Sequence, residues 1–356
     1  MVLAFPGLLS ALVWCMAGRG LALYLVLGVV GLAVGLWGAH GGSVVLAVVG
    51  GLLGILGFGE VTVHGLEEAA HAYGLRRYAA GVLVNSLAVA PELLLAYSIG
   101  SRGVAEGNPE LVELAVLSVM VSAGFNLAVL GIVVLMGRGR LRTPSEASAI
   151  ELPLLRAVVA AVSVIVLYAL VEAAYLGVVP RDPLEASLTL LVFFLVYILW
   201  VVRAGREPGA GAGGLGWAPW LLGGLGGLVA AAEAMSAGVE GMVHGMGLGA
   251  AGLLIGLVGV APEAALNLLA AARGRREEAG FGLIAATSAT LLLVYAVLAI
   301  LLPLPLDRYI VYTLGVLAAG LWLVQHSIAS GGELDKNEAV LIILLSVSSL
   351  LLLARV

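Results

Sequence analysis

Charge and sulfur are scarce in this sequence. Charged residues make up 11% of its 356 positions, and because no basic patch of any size occurs, binding of nucleic acid has no support. Cys15 is the only cysteine, which excludes an internal disulfide and a cysteine metal cluster. No phosphate-binding glycine loop of the Walker type is present either. The sequence therefore offers no motif for driving a process with ATP.

Apolar residues dominate what remains. The sequence is 62% hydrophobic with a mean hydropathy of +1.14, and runs of about 20 apolar residues recur along its whole length. A membrane β-barrel would instead show short alternating segments. The fifty glycines suit close helix approach in lipid. We therefore expect an all-α, polytopic transmembrane protein whose main partner is the lipid bilayer.

Twelve helices are predicted from the apolar runs. They lie near residues 3–17, 21–39, 43–73, 77–99, 110–136, 154–179, 184–203, 217–246, 249–273, 280–302, 308–329 and 338–354. No cleavable signal peptide is expected, because residues 3–17 lack a positive flank and a cleavage site. They are interpreted as a short spanning or interfacial helix.

The loop charges give the orientation. If the predicted helices alternate in direction, one side of the membrane collects 13 of the 17 Lys and Arg residues and the other side collects 4. The positive-inside rule makes the first side cytoplasmic. We expect a multi-pass protein of the cell membrane, plasma or inner.

A repeated segment gives the domain organisation. Residues 65–92 and 238–263 share a Gly-x-Glu-x-x-x-His segment, a Gly-Leu turn, an Ala-Ala-Gly segment and a final Ala-Pro-Glu. Five helices, an odd number, separate corresponding elements, which predicts two repeats of inverted topology. The predicted units are N-terminal helices (1–42), a first five-helix repeat (43–204), a Gly-rich cytoplasmic linker (205–216) and a second, inverted repeat (217–354).

Each Ala-Pro-Glu places a glutamate behind a proline inside an apolar helix. Carboxylates in hydrocarbon are costly and usually mark an ion or proton path. Proline removes a backbone donor and so frees carbonyl oxygens nearby. Freed carbonyls and carboxylates are hard ligands that suit Ca²⁺ and also Na⁺. The predicted cation ligands are Glu92 and Glu263, which would hold the metal ion, and the carbonyls of Leu87, Ala88, Val258 and Gly259. The alternative is that each proline only kinks its helix and that the glutamate reaches the membrane–water interface without binding an ion.

Polar residues also form a stripe on the preceding helix. Glu60, His64, Glu67 and His71 recur at helical spacing, so they share one face, which should line water or pair internally. Glu233, Glu240 and His244 keep the same register in the second copy. We expect these two stripes to carry protons or ions. The alternative is that their outer histidines, His71 and His244, simply lie near the membrane surface.

The helix after each kink supplies small polar groups. They are Ser118, Ser122 and Asn126 in the first repeat and Thr287, Ser288 and Thr290 in the second. Such groups complete a cation shell or bond back to their own helix. Ser122 and Ser288 occupy matching places, which favours a ligand or packing role. Asn85 and Asn267 occur once each and are weak candidates.

These motifs resemble the cation/calcium antiporter superfamily, which includes sodium/calcium and calcium/proton exchangers. Family members have two inverted repeats, each with a Gly-rich helix pair and an acidic motif such as Pro-Glu near the membrane centre. The resemblance covers residues 60–132 and 233–300. Where members usually have Gly-Thr-Ser before Pro-Glu, this sequence has residues 87–89, LAV, and 258–260, VGV. The resemblance carries Glu92 and Glu263 over as ion ligands, and Ser122 and Ser288 in part.

The resemblance implies a transporter and no enzyme, with no resident cofactor. The expected function is secondary-active antiport of Ca²⁺, or a related divalent cation, against Na⁺ or H⁺ by alternating access. One alternative is an inverted-repeat carrier for another monovalent cation or a small anion. A more remote one is an intramembrane metal-dependent hydrolase, which would need converging histidines. A homo-oligomer remains possible.

Overall fold

The computed structural model describes residues 20–136, 140–143, 145–176, 180–206 and 213–353. The predicted helix at 3–17 and half of the predicted linker, residues 207–212, lie outside the described residues. The helices described in the first half are α1 (Leu21–His40), α2 (Val44–Ala72), α3 (Arg77–Leu87), α4 (Ala90–Glu106), α5 (Pro109–Met136), α6 (Ser145–Leu176) and α7 (Leu184–Gly205).

The second half follows the same order of elements. It comprises α8 (Ala218–Met246), α9 (Leu248–Ala272), α10 (Arg276–Ala289), a π-helical segment (Thr290–Tyr295), α11 (Ala296–Leu301), α12 (Arg308–Gly331) and α13 (Lys336–Leu353). A short 3₁₀ turn, Leu215–Trp217, precedes α8. Ten helical segments of the described chain are long and apolar enough to cross a membrane, and α9 adds a shorter apolar stretch, Leu248–Val260. The all-α, polytopic fold predicted from the sequence is confirmed.

Several element boundaries differ from the prediction. The single helix predicted at 77–99 consists of α3 and α4, separated by a turn at Ala88 and Val89. The helix predicted at 280–302 contains the π-helical segment. A short antiparallel strand pair, β1 (Arg140–Arg142) with β2 (Glu333–Asp335), was not predicted. Three-residue strands leave too little alternation for a sequence pattern to indicate them.

The centre of the fold is formed by α5 and the α10 region. Both are almost entirely buried, and α5 packs against α4, α9, α10 and α13. The outer helices α6 and α7 instead expose apolar side chains such as Leu167, Val171 and Leu199. Exposed apolar faces of this extent belong in lipid. The polar residues of α5 and α10 are therefore held in the interior, away from lipid.

Glycines join α1, α2 and α8 into a three-helix unit. A Cβ at Gly50 of α2 would overlap the backbone of Gly35 in α1, and one at Gly51 would meet Met235 of α8. Backbones approach this closely only where small residues form the contact. The first helix of each repeat, α2 and α8, thus packs against the other along its length.

Candidate functional site

Glu92 lies where a membrane helix is interrupted. Helix α3 ends at Leu87, and α4 starts at Ala90 with Pro91 at its N-terminus and Glu92 in its first turn. Proline fits the first turn because its missing N–H would have no partner there. The free N–H groups and the dipole of α4 favour an anion at this place. The local sequence thus positions a carboxylate at the start of a helix that begins inside the membrane span Ala79–Glu106.

The second Pro-Glu behaves differently. Helix α9 runs without interruption from Leu248 to Ala272, through Pro262 and Glu263. A turn like that at Ala88 does not form around Val258 and Gly259, which stay helical. The segment before Pro262 packs directly against α5, since a Cβ at Gly256 of α9 would overlap the Ser118 carbonyl. The two copies are therefore unequal in backbone geometry.

The carboxylates of Glu92 and Glu263 lie close enough for their charges to interact. Each has one buried oxygen, Oε1, without a hydrogen-bond partner among the described residues. Thr290 Oγ1 donates to the other oxygen of Glu92, Oε2, at 3.2 Å. The pair brings one carboxylate from each predicted repeat to a common place.

Polar groups of α5 lie beside the two carboxylates. Ser122 is next to Glu92 and Asn126 is next to Glu263. Within the described part of the chain, neither the Ser122 hydroxyl nor the Asn126 amide has a hydrogen-bond partner, and the same holds for Ser288 Oγ. Buried polar atoms are rarely left unsatisfied. Ser122 and Asn126, which lie beside the two carboxylates, therefore fit a site completed by a bound cation.

The remaining hydroxyl candidates bond to their own helices. Ser118 Oγ donates to the Ala115 carbonyl at 2.9 Å, and Thr287 Oγ1 donates to the Leu283 carbonyl at 2.8 Å. Such back-bonding satisfies the donor and leaves no directed ligand. Among the described residues, Ser118 and Thr287 thus bond to their own helices, whereas the Ser122 and Ser288 hydroxyls have no assigned hydrogen bond.

A cavity of about 1020 Å³ leads from Glu263 to one surface. Its outer part is lined by Arg76, Arg273 and Arg275, residues that the charge pattern assigns to the cytoplasm. Ala88 and Gly259, two of the predicted carbonyl ligands, line its inner part. Leu87 and Val258 are not among the described residues of its wall. The cavity therefore opens on the side where these arginines lie, which the charge pattern predicts to be cytoplasmic.

The polar stripe of α2 lines this cavity. Glu60, His64, Glu67 and His71 all lie on its wall, and the His64 ring packs edge-on to Trp220 of α8 with centroids 5.9 Å apart. The second stripe, on α8, does not line this cavity: none of its members is among the described residues of the cavity wall. Glu233 is exposed, and His244 Nε2 lies 4.0 Å from Glu240 Oε1 at a solvent-accessible end of α8.

Two asparagines also meet on the cavity wall. Asn85 of α3 and Asn267 of α9 both reach Gly282 of α10. Sequence reasoning gave each little weight because neither has a counterpart in the other repeat. Their meeting depends on how three helices pack, and no local pattern signals it.

A further polar cluster lies at the other membrane side. Asp182, between α6 and α7, accepts hydrogen bonds from Ser187 and, at 3.1 Å, from Tyr295 at the end of the π-helical segment. Burial raises the pKa of Asp182, while the two hydrogen bonds act in the opposite direction. Sequence reasoning missed this residue, since its partner Tyr295 is 113 positions away.

Comparison with known proteins gives the family. Residues 43–203 match the family described as sodium/calcium exchanger protein. This part of the chain, the predicted first repeat, is similar in sequence to members of the cation/calcium antiporter superfamily. Its resemblance to that superfamily, deduced from the motifs, is thereby confirmed, and the chain is a multi-pass membrane transporter and not an enzyme. No curated protein matches the chain over its sequence.

Solved structures share the fold of this antiporter. A crystal structure of the H⁺/Ca²⁺ exchanger CAX has a TM-score of 0.69 at 15% identity, covering 86% of this chain and 82% of that one. The sodium-calcium exchanger NCX_Mj gives 0.57 at 17% identity, covering 92% and 97%. The protein YfkE gives 0.62 at 13% identity, covering 94% and 99%.

Proposed function

We propose that this antiporter exchanges Ca²⁺, or a related divalent cation, for Na⁺ or H⁺ across the cell membrane. The observation that carries the proposal is the pair Glu92 and Glu263, of which Glu263 lies on the wall of a cavity open to one side. Two carboxylates balance the charge of one divalent ion, which offsets the cost of placing them inside a membrane.

The ligand chemistry supports a hard cation. Carboxylate, hydroxyl, amide and main-chain carbonyl oxygens are the ligands that Ca²⁺ and Na⁺ accept. In the described residues no three His, Cys, Asp or Glu side chains gather at one point, so Ser122, Ser288, Asn126 and carbonyls such as that of Ala88 would complete the shell. Protons or Na⁺ ions compete for the same two carboxylates, and this competition produces exchange without a second binding site.

The one-sided cavity supports alternating access. The stripe of the first repeat, from Glu60 to His71, lines the cytoplasmic path. In the opposite state the inverted stripe, Glu233, Glu240 and His244, would line the outer path. The three-helix unit of α1, α2 and α8 would slide or rock against the other helices, because its internal glycine contacts are far closer than its contacts with them.

Transport by purified protein tests the proposal. ⁴⁵Ca²⁺ uptake into proteoliposomes is measured under an imposed Na⁺ gradient and, separately, an imposed pH gradient. We expect one gradient to drive uptake, and Glu92→Gln and Glu263→Gln each to abolish it. Glu68→Gln is the matched control, since Glu68 is an exposed glutamate of α2 outside the cavity wall.

The outcome distinguishes the alternatives. Uptake that persists in both site variants would remove the carboxylate pair from the mechanism. No Ca²⁺ uptake with either gradient, from folded protein, would overturn the divalent assignment. Na⁺ or another monovalent ion moving in the same vesicles would then favour the alternative carrier.

A further inference from the structure

Two hydrogen bonds hold the π-helical segment, one at each of its ends. At its first residue, Thr290 Oγ1 donates to Glu92 Oε2 at 3.2 Å. At its last residue, Tyr295 Oη donates to Asp182 Oδ1 at 3.1 Å. One end of the segment therefore contacts the carboxylate pair, and the other end is tied to the polar cluster at the other membrane side.

The contact at Tyr295 gives the segment a well-fixed end. Tyr295 is buried, with 1% of its surface exposed, and a buried tyrosine hydroxyl usually has a hydrogen-bond partner. Asp182 Oδ2 also accepts from Ser187, near the start of α7. The backbone beside Asp182 pairs with the segment that follows α11, where the Leu306 N–H donates to the Pro180 carbonyl at 2.8 Å. The acceptor of the Tyr295 hydroxyl is thus held by its own surroundings.

The π geometry fixes how the two ends of the segment face each other. A π-helix bonds residues five positions apart, whereas an α-helix bonds residues four apart, so each hydrogen-bonded turn contains one residue more. One residue turns an α-helix by about 100°. If the segment converted to α geometry, Thr290 would rotate relative to Tyr295 by roughly this angle, and the two side chains could not both keep their partners.

We propose that Asp182 and Tyr295 are positioning residues, which hold the π-helical segment in the register that brings Thr290 to Glu92. They act on the ion site through Thr290. Loss of the Tyr295 contact allows the segment to convert to α geometry, and Glu92 then loses the hydrogen bond to its Oε2. This inference rests on the proposed function, because the property affected is ion binding at Glu92.

Removal of one hydroxyl tests the positioning role. We expect Tyr295→Phe to raise the Ca²⁺ concentration for half-maximal uptake about 3- to 10-fold, as for one lost hydrogen bond, and to leave the maximal rate unchanged. Tyr197→Phe is the matched control, because it removes a buried tyrosine hydroxyl of α7 that donates to Glu151 at 3.2 Å. It should leave the half-maximal concentration unchanged. An equal rise in both variants, or no rise with Tyr295→Phe, would overturn the proposal.

A double-mutant cycle shows whether Tyr295 acts through Thr290. The Thr290→Val background already lacks the donor to Glu92, so Tyr295→Phe should cause no further rise in the half-maximal concentration there. Substitutions that act independently would instead multiply their effects. That result would overturn the proposal, because it would mean that Tyr295 affects the site by another route.

Substitutions of Asp182 provide the conservative comparison. Asp182→Asn keeps an oxygen that accepts from Tyr295, and its NH₂ group can donate to the Ser187 hydroxyl. It should therefore keep the wild-type half-maximal concentration. Asp182→Leu removes the acceptor and should raise the value as much as Tyr295→Phe does. Equal values for the two Asp182 variants would overturn the proposal.

Melting temperatures of purified protein keep the test independent of Ca²⁺ transport. Thr290→Val and Tyr295→Phe together should lower the melting temperature by less than the sum of their separate shifts, because loss of either contact already releases the segment. If the wild-type protein moves no Ca²⁺, additive shifts would overturn the positioning role. Non-additive shifts in such a protein would support that role and count against the proposed function alone.

Discussion

Thr290 of the second repeat donates a hydrogen bond to Glu92 of the first, across 198 positions of sequence. The bond holds Glu92 Oε2 and leaves Oε1 as the oxygen without a hydrogen-bond partner among the described residues. Thr290 also begins the π-helical segment, a geometry that often occurs at functional sites. The contact therefore orients the carboxylate that we assign to the ion.

Replacing Thr290 by valine keeps the shape of the side chain and removes the hydroxyl that donates to Glu92. We expect Thr290→Val to weaken Ca²⁺ binding about 5-fold, the loss of roughly 1 kcal/mol that one hydrogen bond contributes. The measurement is the half-maximal Ca²⁺ concentration for uptake, from both membrane faces. Thr287→Val is the control, because Thr287 bonds to its own helix and should leave the value unchanged. Equal effects of the two variants would show that the Thr290 contact does not orient the carboxylate.

The glycine contact between α1 and α2 predicts an effect on stability. A Cβ at Gly50 would overlap the backbone of Gly35, so Gly50→Ala must push the helices apart. We expect it to lower the free energy of unfolding by ~1–3 kcal/mol, as overpacking does, and to lower the melting temperature in detergent.

A second glycine provides the comparison for Gly50. A Cβ at Gly223 of α8 would meet nothing within 4 Å. Gly223→Ala should therefore be neutral, or stabilise the helix by up to about 1 kcal/mol. If both alanine variants melt at the same temperature, close backbone approach is not what holds α1 against α2.

Asp182 predicts a pH dependence of stability. Burial raises the pKa of this carboxyl above its unfolded value, which is about 3.9. The folded protein then holds the proton more tightly, so the stabilisation is complete below the unfolded pKa and is lost as the pH rises through the folded pKa. In the Asp182→Asn variant, the side chain at position 182 carries no titrating group, so this loss of stability with rising pH is absent. The melting temperature of the variant, relative to wild type, should rise as the pH increases from about 4 to neutrality.

Thr189 of α7 offers a control without a titrating side chain. Its Oγ1 donates to the Glu185 carbonyl of the same helix at 2.7 Å. Thr189→Val is expected to change the melting temperature by the same amount at pH 4 and at neutrality, because neither valine nor threonine titrates there. A constant difference between wild type and Asp182→Asn across this range would contradict the assigned pKa direction.

The sequence predicts the fold and part of the site because both leave periodic signals. Apolar runs define the helices, and the matched residues 65–92 and 238–263 define the inverted repeat. Helical spacing from Glu60 to His71 predicts the shared face that lines the cavity. Each of these features is predictable because its sequence pattern lies within one helix or is found by comparing two similar segments.

Other features depend on packing between distant helices. Pro91 lies at a helix interruption whereas Pro262 lies in a continuous helix, although their local sequences are alike. The segment before Pro262 also packs against α5 at Gly256, a contact between distant parts of the chain. The meeting of Asn85 with Asn267, and of Asp182 with Tyr295, likewise joins residues far apart in sequence. No pattern within a single segment carries that information.

The inverted stripes predict that accessibility alternates between two matched positions. Cys15 is the only cysteine, so a Cys15→Ala background allows single cysteines at His64 of α2 and Ala237 of α8, which share a register in the repeat. His64 lines the cytoplasmic cavity, and we expect His64→Cys to react with a membrane-impermeant thiol reagent added from the cytoplasmic side.

An ion gradient should change the thiol labelling of these two cysteine positions in opposite directions. A gradient that drives the transporter into its outward-facing state should protect His64→Cys and expose Ala237→Cys to reagent added from outside, because in alternating access the site opens to one side at a time. Arg273→Cys, at the cavity mouth where its side chain is exposed, should react from the cytoplasm in both conditions. Simultaneous labelling of both stripe positions under every condition would mean a continuous pathway, and exchange driven by competition at Glu92 and Glu263 could not then be maintained.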